Sequence, residues 1–155
     1  AKDIGVSNKE AKQYIENYLA HYSGVDDYMK KMIDLAKDKG FSETLFHRKR
    51  YLPELASSNH MMRAFGERVA RNMPIQGTAA DIIKIAMVKV DDRLTKENMK
   101  SRLILQVHDE LIVEAPLEEA EKALKIVTEE MENACSFKVK LLADGKIGKT
   151  WYEAH

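Results

Sequence analysis

The spacing of apolar positions changes several times along the chain, and each change marks an element. Ser7-Asn8-Lys9-Glu10 has the form of a capping box. Ala11, Tyr14, Ile15, Tyr18, Leu19 and Tyr22 follow at helical intervals, predicting a helix from about Asn8 to His21. Beyond Gly24, the residues Val25, Tyr28, Met29, Met32, Leu35 and Ala36 repeat the interval up to Gly40, which stands where a C-terminal cap belongs. From Phe41 to Leu55 the pattern becomes strand-like and reads as a hairpin with Arg48, Lys49 and Arg50 at its tip. Asn59 can cap a helix through Arg71, with Met62, Phe65, Val69 and Ala70 inward. Pro74 kinks that helix or begins another, in which Ile75, Ala79, Ile82, Ile83, Ala86 and Val90 form the apolar face as far as about Leu94.

A polar connector, Thr95 to Ser101, leads to the stretch around which the chain is organised, LILQVHDELIVEA, Leu103 to Ala115. Two apolar runs flank His108, Asp109 and Glu110, the pattern of a β-hairpin carrying an imidazole and a carboxylate at its tip. Asp is a common turn residue, but no Gly or Asn eases this turn, which argues that the side chains are there for chemistry. Pro116 then opens a helix with Leu117, Ala120, Leu124, Val127 and Met131 as its buried stripe. Phe137 to Ala143 alternates as a last strand, and Asp144-Gly145 is a turn signal. The expected class is α+β: mostly helical, with a small antiparallel sheet made of the central hairpin plus the C-terminal strand, and a separate short basic β-hairpin.

Composition narrows this only a little. The 155 residues suffice for one domain, or two subdomains sharing a core. Lys+Arg and Asp+Glu are equal at 25 each, so a nucleic-acid partner must be met by a local patch rather than by global charge. The single cysteine, Cys135, excludes an intrachain disulfide and suits a reducing compartment, with the cytoplasm as default. No apolar run approaches membrane-spanning length, so no membrane partner is expected. The start at Ala1, without an initiator Met or a signal pattern, suggests a piece of something longer.

Two groups of residues invite a functional reading. Arg48, Lys49 and Arg50, with Tyr51 beside them, are either a solvated turn or a set of phosphate contacts. Arg68, Asn72 and Gln76 fall four apart and on a continuous helix would form one polar stripe, drifting by about 40° per step. Such a stripe is ordinarily a wet helix face.

GFSETLFHRKRYLPEL, ERVARNMPIQGTAADIIKIAM and LQVHDELIVEAP, taken in order, resemble the C-terminal part of the bacterial family A DNA polymerases, over essentially the whole chain. The resemblance implies that Asp109 is a palm-domain aspartate binding two Mg²⁺ ions, that Glu110 is its acidic auxiliary, and that His108 contacts the primer end. It implies that Arg68, Asn72 and Gln76 touch the last base pairs of primer-template DNA from the minor-groove side, where acceptors lie at similar positions in every pair. Residues 1–95 would be the fingers side, with the basic hairpin near 41–55. Residues 96–155 would be a palm segment with the catalytic hairpin at 103–115. The implied reaction is nucleotidyl transfer from a deoxynucleoside triphosphate to a primer 3′-hydroxyl by a two-metal route, in DNA replication or repair.

Two family motifs are not found in the 155 residues: the DYSQIELR-type strand with the other catalytic aspartate, and the fingers helix that binds the triphosphate. The fragment is therefore expected to be inactive alone, and an unpaired sheet edge invites a homodimer or domain swap. The LLADGKIGKTW ending also departs from the VEVGxGxxW kind common in the family. Two competing readings are a non-catalytic duplex-binding module using the Arg48 to Arg50 and Arg68 groups, and a metal hydrolase. For the hydrolase, His21, His47, His60 and His155 lack ligand-like spacing around His108, Asp109 and Glu110.

Overall fold

A computed structural model describes residues 5–154. It divides into two compact units, Ala1–Ile75 and Gln76–His155. The first contains α1 (Asn8–His21), α2 (Ser23–Lys39), β1 (Phe41–Glu43), β2 (Lys49–Tyr51), a 3₁₀ turn (Pro53–Ala56) and α3 (His60–Asn72). A π-helical stretch, Met73–Gly77, carries the chain into the second unit: α4 (Thr78–Lys96), β3 (Arg102–Val107), β4 (Glu110–Glu114), a 3₁₀ turn (Leu117–Glu119), α5 (Ala120–Glu132) and α6 (Trp151–Ala154). The described residues are mostly helical with two antiparallel two-stranded sheets, the α+β class expected.

In the first unit the predicted capping signals act as read. Ser7 Oγ accepts from Glu10 N, and the Glu10 carboxylate accepts from Ser7 N at 2.9 Å, which sets the start of α1. Gly40 ends α2 at φ 76°, where a β-carbon would be strained. Ala36, Leu52, Leu55 and Ala70 form the buried core, with Ile33 and Val69 against it. The core face of α3 is Gly66 and Ala70. Met62 and Phe65, expected inward, are exposed. Gly66 explains the change: a β-carbon there would lie 3.0 Å from Leu55 Cδ2, so the missing side chain lets the 3₁₀ turn dock directly on the helix. The Ser42 hydroxyl donates to the Ala70 carbonyl at 3.2 Å, and Lys37 pairs with Glu67 at 2.6 Å, tying β1 and α2 to α3.

Val90 and Leu94 of α4 and Ile126 and Val127 of α5 are the core of the second unit, with Leu111 and Val113 of β4 packed onto it. Ile83, Ala86 and Val90 of α4 and Val127 of α5 are buried as expected, but the first positions of each expected stripe are not. Backbone helicity continues through Pro74 and widens into π turns, which accommodates a residue with no N–H to donate. A count of 3.6 residues per turn slips across that stretch, so Ile75 and Ala79 are exposed while Thr78 and Asp81 are buried, and from Ile83 onward the expected face is the buried one. A 3₁₀ turn has a similar effect before α5: Leu117, expected in the stripe, is 89% exposed, whereas Val127 is buried as expected, with Ala123 and Ile126 beside it.

The expected C-terminal strand over Phe137 to Ala143 is not formed. Ala143 N donates to Glu132 Oε1 at 3.2 Å, and Gly145 lies so close to Leu124 and Thr128 that a β-carbon would overlap them. The segment thus lies along α5 rather than in a ladder, and its alternation leaves Val139 and Leu142 at 79% and 84% exposure. No helix among the described residues is long and apolar enough to cross a membrane.

Candidate functional site

β3 and β4 pair antiparallel, with Arg102 opposite Glu114 and Val107 opposite Glu110, so only His108 and Asp109 make the turn. A register shift between Leu103 and Leu105 leaves Ile104 as a bulge. His108 takes φ 51°, the left-handed region that Gly usually supplies and that His, Asn and Asp enter more readily than other side chains. The Gln106 side-chain amide donates to the His108 carbonyl at 2.6 Å. His108 and Asp109 are exposed at the apex, whereas Glu110 is half-buried at the start of β4. At the other end of the hairpin, Glu119 accepts from Lys100 N, Ser101 N and Ser101 Oγ, the last at 2.6 Å. These bonds hold its carboxyl below the usual carboxylate range, with the Ser101 hydroxyl the largest cause. The hairpin is thus fixed at its entry, packed through Leu111 and Val113, and closed by a constrained turn.

The basic hairpin differs from the expectation. Its tip is Thr44 to Arg48, with His47 at φ 64°, and Lys49 and Arg50 lie within β2. The Thr44 hydroxyl oxygen accepts from Phe46 N and Arg48 N, both at 3.2 Å, which closes the loop before the last two cations. Strand alternation then sends Lys49 and Arg50 to opposite faces. Lys49 Nζ lies 4.6 Å from the Phe41 ring centroid, and that ring meets Tyr51 edge-on at 5.8 Å. The three cations therefore do not form one cluster at the apex.

Arg68 and Asn72 are exposed on α3, and the Arg68 guanidinium carbon lies 5.4 Å from the Phe65 ring centroid. That stacking gives Phe65 a role on the surface rather than in the core. Gln76 is exposed in the π-helical stretch.

A divalent cation would find a hard oxygen donor here, the exposed Asp109 carboxylate. Mg²⁺ commonly takes only one or two protein carboxylates and completes its shell with water and substrate phosphate oxygens, so the donor fits as one ligand. Among the described residues no three of His, Cys, Asp and Glu group as a ready-made cation cage, and His21, His47 and His60 join none. His155 lies outside the described residues.

The model of DNA polymerase family A matches residues 1–153. The chain belongs to DNA polymerase family A. It is 49% identical over 154 residues to DNA polymerase I of Lactococcus lactis subsp. cremoris, and equally to that of Geobacillus stearothermophilus, covering 99% of this chain and 18% of each relative. Among solved structures it is similar to the POL domain of Pol1 from M. smegmatis in complex with DNA primer-template and dNTP. That likeness has a TM-score of 0.94 and 42% identity, and it covers 99% of this chain and 27% of that one. This family A chain thus spans less than a fifth of the length of the curated relatives it matches. Of its family-like segments, NMPIQGTAAD forms the end of α3, the π stretch and the start of α4, and QVHDE forms the end of β3, the turn and the start of β4.

The residues that position the site were less visible in the sequence than those at its apex. Gln106 bonds a backbone carbonyl at the turn, and Glu119 anchors the strand through two backbone N–H groups and the Ser101 hydroxyl. Their only sequence signal is a polar residue two before the turn and an acid at a helix start.

Proposed function

We propose that this chain is part of a template-directed DNA polymerase that transfers a nucleotide from a deoxynucleoside triphosphate to a primer 3′-hydroxyl. The observation that carries the reading is the exposed Asp109 carboxylate at the apex of a rigid hairpin in a family A chain. Residues 96–155 belong to the palm and residues 1–95 to the fingers side. Asp109 holds Mg²⁺, with Glu110 as an auxiliary acid and His108 touching the primer end. Held by Asp109 and the remainder of the complete polymerase, two Mg²⁺ ions would supply activation of the hydroxyl and stabilisation of the leaving phosphate charge. The protein's own contribution at this turn is to hold a hard oxygen donor at a fixed place. Arg68, Asn72 and Gln76 grip the primer-template through minor-groove acceptors common to all pairs, which keeps the grip independent of sequence. Arg48, Lys49 and Arg50 add phosphate contacts, and the relatives point to work in a bacterial cytoplasm.

The 155 residues alone do not polymerise, because Asp109 is a single carboxylate where the reaction needs two, and no triphosphate-binding helix of the family's kind is in the sequence. Among the described residues no further strand pairs with the β3–β4 hairpin, which also favours a homodimer or strand swap of the isolated chain. Monomeric light scattering at high concentration would count against that.

The test is a chimera in which this chain replaces the matching segment of the Geobacillus stearothermophilus polymerase. We expect template-dependent primer extension with Mg²⁺, lowered by at least about a hundredfold on Asp109→Asn. Unchanged extension by that variant would remove Asp109 from the mechanism, and extension by the pure 155-residue chain would overturn the claim of inactivity.

A further inference from the structure

We propose that Gln106 is a positioning residue for the Asp109 carboxylate, acting through the peptide plane that joins His108 to Asp109. The inference rests on the reading above that Asp109 is the metal-holding group. In a hairpin closed by only two residues, the His108 carbonyl lies outside the ladder, and Val107 and Glu110 are the last paired positions. Gln106 Nε2 donates to that carbonyl at 2.6 Å. The carbonyl and the Asp109 N–H belong to one planar unit, so fixing the oxygen fixes the plane from which the Asp109 α-carbon projects. His108 has entered the left-handed region at φ 51° without being Gly, a conformation that a side chain holds only with outside support. The Gln106 amide supplies that support. Its own backbone is secured by pairing with Leu111, whose side chain packs on the core of Val90, Leu94, Ile126 and Val127. A line of rigid connections thus runs from the core through Leu111 and Gln106 to the plane that aims the carboxylate.

The test uses the ¹⁵N-labelled 155-residue chain with Mn²⁺ alone as probe, read as paramagnetic broadening of the amides from His108 to Leu111. Asp109→Asn should abolish the broadening. Gln106→Leu removes the donor at similar volume and should shift the Mn²⁺ dependence to about fivefold higher concentration, the scale of one lost hydrogen bond. The signals of Ile126 and Val127 should stay unchanged. Adding His108→Gly to Gln106→Leu should restore much of the affinity, because Gly adopts the turn unaided. Loss without that rescue overturns the route through His108. Wild-type Mn²⁺ dependence in Gln106→Leu overturns the positioning role and leaves Asp109 as the ligand. Broadening that survives Asp109→Asn instead defeats the metal reading, and the positioning role falls with it.

Discussion

Glu119 and Ser101 are joined twice: Glu119 Oε2 accepts from Ser101 N at 2.9 Å and from Ser101 Oγ at 2.6 Å. Ser101 is buried, and it immediately precedes β3, so this carboxylate sets where the hairpin begins. The Ser101 hydroxyl and then the Lys100 N–H hold the Glu119 pKa below its ordinary 4.5; burial opposes them, and the Ser101 N–H adds a lesser pull in the same direction as the first two.

A depressed carboxylate pKa stabilises the fold above the unfolded-state value and loses that contribution as pH falls through the folded-state value. Glu119 therefore adds stability at neutral pH that disappears below about pH 4.5. Glu119→Gln should be less stable than the parent at pH 7, and the gap should close as the solution is acidified toward pH 3. Urea midpoints at both pH values would check this, and a gap that widens in acid would contradict the assigned cause.

The second unit offers a test of which helix face is the core. Ile126 is 1% exposed and Leu117 89%. Ile126→Ala should cost about 3 kcal/mol, and Ile126→Val about 1, because a cavity opens beside Val90 and Leu94. Leu117→Ala should change stability by less than about 0.5 kcal/mol. Chemical denaturation of the three variants decides it; a larger loss at Leu117 would restore the stripe read from spacing alone.

That contrast shows what was legible in the sequence and why. Local signals translated directly: Ser7 and Glu10 start α1, Gly40 ends α2, and Asn59 caps α3 through its side chain bonding Met61 N. The hairpin and its His108-Asp109 apex were also legible, since alternation and a polar interruption are properties of neighbouring residues. The main faces of α4 and α5 were legible from Ile83 and at Val127, but Ile75, Ala79 and Leu117 were not, because each helix follows a π or 3₁₀ stretch that breaks the 3.6-residue count. The alternation of Phe137 to Ala143 misled because a strand also needs a partner, and here the neighbour is α5. The basic tip was misplaced because Thr44, a weak turn signal, closes the loop through its hydroxyl before Lys49.

At Gly66 helix propensity and packing oppose one another. Ala is the better helix former by about 1 kcal/mol. Its β-carbon, however, would stand 3.0 Å from Leu55 Cδ2, 3.1 Å from Leu55 N and 3.2 Å from Glu54 Cβ, and two of those atoms are not at the free end of a flexible side chain. Overpacking of this kind costs about 1–3 kcal/mol, so Gly66→Ala should be net destabilising by about 1 kcal/mol. A rise in the thermal midpoint would mean that the 3₁₀ turn shifts at little cost.

The cationic side chains predict different effects on DNA binding. Arg68 is exposed on α3 with its guanidinium against Phe65, which holds it on the surface. Lys49 is occupied in part by the Phe41 ring, whereas Arg50 points to the other face of β2. Arg68→Ala should weaken binding to primer-template duplexes of unrelated sequence by similar factors, as expected of a grip on features common to all pairs. Arg50→Ala should act through phosphate and lower the slope of log affinity against log salt by about one. Lys49→Ala should lower it less. Fluorescence anisotropy across a salt series reads all three, and an Arg68→Ala effect confined to one duplex sequence would show that α3 reads bases rather than the shape of the pair.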